Sequence, residues 1–190
     1  MIIRALAAFA ALVVALPTGV RAQGPTCDFR GTPDALAQRP SPLDSVLVRL
    51  GGEEAKLCYG RPAADGRRMV GGEHPFGTPW EMGANEPTTL HLPFPALVGS
   101  VALAPGSYSL YAIPGESEWT IVVNGNPDRW GVPLNAEVRA ADVGSFTVTP
   151  AARDGYLDRL TFSFQAAGDR GGQLVYEWEA VRLSIPIERR

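Results

Sequence analysis

Arg61, Arg67, Arg68, Glu73, His74, Asn85 and Glu86, side chains able to bind, polarise or exchange protons, fall between Tyr59 and Thr89. They stand on Gly- and Pro-rich backbone, a setting in which a regular scaffold tends to present functional groups. Two chemistries are open to them. With Arg61 and Arg67 as donors, Asn85 and Glu86 as directional partners and Tyr59, Trp80 or Tyr111 as an aromatic wall, the region would form a pocket for an anion or a sugar. With His74 held by Glu73 or Glu86, it would supply a general base, and the protein would be a hydrolase or isomerase. None of Ser41, Ser45, Thr78, Thr88 or Thr89 stands in a context that would activate it as a nucleophile. The competing structural reading has the arginine forks satisfying carboxylates and loop carbonyls, pinning a long connection to its sheet.

Other sites are not expected. The chain has no G-x-S-x-G, no H-E-x-x-H, no glycine-rich phosphate loop and no EF-hand spacing. Its two histidines, His74 and His91, are too few for a multi-histidine metal centre, and no metal or cofactor is expected. His91, opposite in phase to Leu90, Leu92 and Phe94, reads as a solvated surface residue. The 17 basic residues are outnumbered by 20 acidic ones, and the pI is about 5.4, against a nucleic-acid partner.

The elements that must position these groups begin after a leader. Residues 1–22 carry Arg4, an apolar run from Ala5 to Leu16 and small residues at Val20 and Ala22, the pattern of a secretory signal peptide cleaved before Gln23. The apolar run is shorter than the roughly 20 residues a bilayer span needs, so no membrane span is expected after cleavage. No cysteine directly follows it, which disfavours a lipid anchor. The expected location is the periplasm or the extracellular space. In that oxidising setting Cys27 and Cys58 are expected to pair, because C-x-x-C spacing is absent and a structural bridge is the simpler use of two cysteines. Closing a loop of about 30 residues would contribute on the order of 3 kcal/mol and tie down the N-terminal segment.

Beyond the leader the hydrophobic period is two nearly everywhere. Val46, Val48 and Leu50; Leu90, Leu92 and Phe94; Trp119, Ile121 and Val123; Phe146 and Val148; Leu160, Phe162 and Phe164; and Leu174, Tyr176 and Trp178 each alternate with neighbours of the other face. Leu183, Ile185 and Ile187 continue the series, but the phase switches near Val181, which predicts one long strand with a bulge or bend. Turn signals at Pro105-Gly106, Pro114-Gly115, 124–127 and 168–172 separate the strands. These features predict an all-β, single-domain antiparallel β-sandwich over 43–188, jelly-roll-like or similar, with few or no helices. Residues 23–42, rich in proline, are expected to form an extended arm over the surface. Tyr108, Trp119, Tyr176 and Trp178 are expected in the core, Trp130 capping one end, and Glu177 and Glu179 within reach of an arginine.

Tyr59-Gly60-Arg61-Pro62, Pro75-Phe76-Gly77 with Trp80, Gly83-Ala84-Asn85-Glu86, Pro105-Gly106-Ser107-Tyr108 and Glu177-Trp178-Glu179, in this order, resemble an exported bacterial family catalogued as domain of unknown function 2911. The resemblance spans about Arg39 to Ile187. It implies an exported protein with one β-rich domain and no established activity, so it supplies no catalytic residue. Trp80-Glu81-Met82 departs from the Trp-Arg usual before the Gly-Ala-Asn-Glu block, Asp65 stands where a basic residue is usual, and Val70 replaces an aromatic. A negative charge at Glu81 argues against an anion site. The resulting expectation is an exported sandwich that binds a small polar ligand or a cell-envelope component through 59–89, using Arg61, Arg67, Asn85, Glu86, Trp80 and Tyr59. The rivals are the Glu86/His74 enzyme and an interaction domain without a small-molecule site.

Overall fold

The computed structural model describes residues 25–190, and the leader expected over 1–22 lies outside the described residues. The chain runs through β1 (Leu43–Leu50), β2 (Glu53–Gly60), β3 (Thr88–Leu92), β4 (Ala96–Val98), β5 (Val101–Leu103), β6 (Gly106–Ile113) and β7 (Trp119–Asn124). It continues through β8 (Asp142–Val148), β9 (Ala151–Ala166) and β10 (Gly171–Arg189). A six-stranded sheet in the order β1-β2-β3-β6-β7-β8 packs on a four-stranded sheet in the order β5-β4-β10-β9, and all pairings are antiparallel. This is the expected all-β sandwich.

The phase switch in the last strand has the expected cause: the β10–β9 register shifts on either side of Glu179, which takes φ 53°. Such a bulge re-aims one side chain while the strand continues. Two features differ from the sequence reading. Tyr59 and Gly60 end β2 instead of opening a loop, a strand that escaped notice because Glu53, Glu54 and Lys56 dilute its alternation. The arm is not wholly extended, since Pro33–Ala37 forms one short helix, α1. Thr32 caps it by accepting from the Ala35 N–H, and Pro33 suits the first turn, where no N–H partner is needed. A second four-residue helix, α2 (Ala136–Arg139), lies between β7 and β8.

The inner faces meet in one apolar core that includes Leu57, Leu90, Leu110, Ile121, Trp119, Tyr176, Trp178, Leu183 and Ile185. Tyr108 is only partly buried at its rim, with its hydroxyl on the Ala104 carbonyl. Trp130 is 44% exposed, so it lies on the surface rather than sealing the sandwich. The disulfide Cys27–Cys58 is formed, with Cα atoms 5.6 Å apart. Because Leu57 and Tyr59 point inward, Cys58 points outward, and the bridge lays the arm over the outer face of the six-stranded sheet.

Candidate functional site

The conspicuous polar residues of 59–89 are not gathered around one cavity. Arg61 reaches across the sandwich to β9, donating from Nε to the Leu160 carbonyl at 3.0 Å and from Nη2 to Thr161 Oγ1 at 2.9 Å. Arg67 curls onto its own loop and donates to the Ala64 and Ala63 carbonyls, and Arg68 donates to the Val70 carbonyl. Tyr59 is buried, its hydroxyl accepting from the Phe162 N–H at 3.0 Å and donating to Asp44 at 3.2 Å. Burial, foremost, pushes that phenol up to about 12. Asn85 takes φ 71°, a left-handed turn position that asparagine tolerates better than most residues.

Trp80 is a core residue, not a stacking surface open to solvent. Its backbone exchanges hydrogen bonds with Ala112, and its ring lies between His74, at 4.3 Å between centroids, and Trp178, at 5.5 Å. Burial, then the nearby Arg67 charge, pulls the His74 ring down to about 4. His74 and Glu86 share no hydrogen bond, and each is held in a different network. Tyr111 is fully buried and donates to Asp142 at 2.7 Å.

These groups instead stitch one side of the sandwich. The Ala64 N–H donates to the Asp158 carbonyl and the Leu160 N–H to the Pro62 carbonyl, so residues 62–64 strap the free edge of β9 at Asp158 to Leu160. Glu179, turned by the β10 bulge, accepts from the Met69 and Val70 N–H groups at 3.1 and 2.8 Å. Gly60 is required where this connection passes close by, because a Cβ there would lie 2.0 Å from the Ala84 carbonyl oxygen.

Glu86 belongs elsewhere. It is buried beneath the arm, where Arg39 grips it with both terminal nitrogens at 2.6 and 3.0 Å and the Arg30 N–H donates to it at 2.9 Å. Burial pushes this carboxyl up, but the Arg39 fork and the Arg30 N–H outweigh it and hold the group below its usual range. Beside Glu86 lies a cleft of about 190 Å³ between three segments. The arm supplies Asp28 and Arg30, the sheet supplies Thr89, His91 and Ser107, and the loop after β7 supplies Asp128 and Arg129.

The cations in this cleft are already occupied. Arg30 pairs with Asp128, and Arg129 donates to the carbonyls of Asn126, Trp130 and Gly131 and to Ser109 Oγ. Asp28 makes no side-chain hydrogen bond among the described residues. His91 Nδ1 lies 2.8 Å from Ser107 Oγ, across the β3–β6 pair. Burial, then the Lys56 charge, lowers the His91 ring, which is therefore neutral at neutral pH and can both donate and accept. Glu81, near Arg129 and Gly131, is buried and has its carboxyl raised by that burial, the Arg129 charge acting against the rise. No group of three or more potential metal ligands occurs among the described residues.

The family model described as "Protein of unknown function (DUF2911)" matches residues 41–187. The chain belongs to that family. The DUF2911 match takes in both sheets and the floor of the cleft, whereas Asp28, Arg30 and Arg39 precede it. No curated protein and no solved structure matches the chain. Within the DUF2911 domain the sequence reading missed His91, Ser107 and Arg129, and outside it Asp28, Arg30 and Arg39. One signal could have found the arm residues: Cys58 shares the outward phase of Thr89 and His91, so a Cys27–Cys58 bridge must carry Asp28 over that face.

Proposed function

We propose that the protein is an exported binding module that takes a small polar ligand in the cleft between the arm and the six-stranded sheet. The observation that carries this reading is the convergence there of hydrogen-bonding groups from three separate segments with capacity left over. The arginines are spent on fixed partners, while Asp28 and the outer nitrogen of His91 are not. A ligand rich in donors, an ammonium or polyhydroxy compound, fits that balance, and the volume limits it to a few carbon atoms or a single sugar ring. The leader pattern and the disulfide support export.

Isothermal titration of the purified protein with ethanolamine, glucosamine and glycerol, with acetate as an anionic control, tests the reading. Saturable binding of at least one donor-rich compound, weakened in Asp28→Asn, is expected. Silence from all three, or binding indifferent to Asp28→Asn, would refute it.

An interaction domain without a small-molecule site is the second reading. It is favoured by the saturation of Arg61, Arg67 and Arg68 by carbonyl groups, which leaves the 59–72 stretch as scaffold.

A further inference from the structure

Three sheet edges longer than three residues are present among the described strands, and they are treated differently. The edge of β9 is strapped in its middle, at Asp158 to Leu160, by residues 62–64. The Arg61 N–H to Pro42 carbonyl bond only extends the β1–β2 ladder, but the outer side of β1 lies against β9 on the stitched side. The edge of β8 touches β5 and β10 through side chains but has no strap along its backbone. Among the described residues, backbone hydrogen bonds from Val143 to Val148 go only to β7. A cleft of about 720 Å³ opens beside it, lined by Ser145, Thr147 and Thr149 together with Ser184 and Pro186 of the other sheet.

An uncovered edge invites pairing, and proteins usually blunt one with lysine, proline or a very short strand. β8 has none of these between Asp142 and Val148, and its one irregularity, a bulge at Val143 opposite Val123 and Asn124, leaves Gly144 to Val148 in regular register with β7. Its single charge, Asp142, sits at the end of the strand, and its side chain is already bonded to Tyr111 and Asn124. We propose that β8 pairs antiparallel with β8 of a second copy, joining the two six-stranded sheets across a two-fold axis at Ser145.

The strand is complementary to itself in that register. Ser145 faces Ser145 of the copy and Gly144 faces Phe146 within the regular stretch, while the bulged Val143 lies beside Thr147. Hydroxyl pairs and β-branched pairs are favourable across strands, and an aromatic opposite a glycine compensates for the missing side chain. The two Asp142 residues lie beyond the bulge at opposite ends of the pairing, so no like charges meet. A two-fold interface of this kind closes on itself and does not propagate into a fibre. This inference is independent of the cleft beneath the arm.

Sedimentation velocity of the purified protein over a wide concentration range is the test. A concentration-dependent dimer is expected. Ser145→Asp, which sets two negative charges face to face on an exposed position, should weaken it at least tenfold without changing the melting temperature. Ser145→Cys should cross-link as a dimer under mild oxidation, whereas Leu47→Cys on β1 should not. A monomer at every concentration, or a dimer that Ser145→Asp leaves intact and Ser145→Cys fails to link, would overturn the proposal.

Discussion

The stretch from Arg61 to Gly72 and the cleft beneath the arm are both crowded with charged groups, but they differ in what those groups have left to offer. In the first, the donors of Arg61, Arg67 and Arg68 end mainly on backbone carbonyls, and the Glu179 carboxylate accepts from two backbone N–H groups. In the second, Arg39, Arg30 and Arg129 are occupied with fixed partners, while Asp28 and one face of His91 remain available. Polar density on Gly- and Pro-rich backbone therefore does not by itself mark a site. Unspent hydrogen-bonding capacity on a concave surface is the better criterion.

Perturbing each side separately should give opposite signatures. The largest effect is expected from replacing Cys27 and Cys58 together by serine. Freeing the arm, whose bridge spans a separation of 31 residues, should lower stability in urea by about 3 kcal/mol and abolish binding in the cleft, because the arm forms one wall. If binding survived with the arm released, the arm would not be part of the site.

Arg61→Ala comes next. It removes two hydrogen bonds to β9 and a 3.7 Å contact with Asp44, and should cost about 2 kcal/mol while leaving ligand affinity unchanged. Lost binding with unchanged melting would move the site back to the stretch singled out by sequence.

His74 sets a pH signature for the stitched side. Its folded value of about 4 lies below the ordinary 6.5, so the unfolded chain takes up a proton that the folded ring refuses. Stability should be complete above about pH 6.5 and fall as pH drops towards 4, by on the order of 1 kcal/mol after allowance for partial exposure. Denaturant titrations of His74→Phe should show a shallower slope in that window. His91 shifts in the same direction and adds to the slope in the same window. An unaltered slope would mean that the stacked ring is not the titrating group.

The smallest stability effect belongs to Asp28→Asn. An exposed carboxylate without a bonded partner should change stability by less than about 0.5 kcal/mol, while affinity for a donor-rich ligand falls tenfold or more. A stability loss as large as that of Arg61→Ala would place Asp28 among the scaffold residues.

Much of the fold was legible because alternation is a local signal. Val46 to Leu50, Trp119 to Val123 and the phase switch near Val181 each report a face without knowledge of the partner strand. The site was less legible because hydrogen-bond partners are set by topology. Glu86 is 47 residues from Arg39 in the chain, and nothing in the intervening sequence favours Arg39 over Arg61 or Arg67 as its partner. The phase of His91 is outward, as its alternation with Leu90 and Leu92 indicates, but the disulfide brings the arm across that same face and leaves the ring half-buried. Trp80 reads from sequence as part of an aromatic wall because it stands on Gly- and Pro-rich backbone, although its segment packs against Ala112 and Trp178.

The most direct measurement is a residue-resolved NMR titration of the isotopically labelled protein with glucosamine and ethanolamine. Saturable shifts confined to Asp28, Glu86, Thr89, His91, Ser107 and Arg129 are expected, with Arg61 and Arg67 unmoved. Shifts centred on Arg61 and Arg67, or none with either compound, would contradict the assignment of the cleft as the binding site.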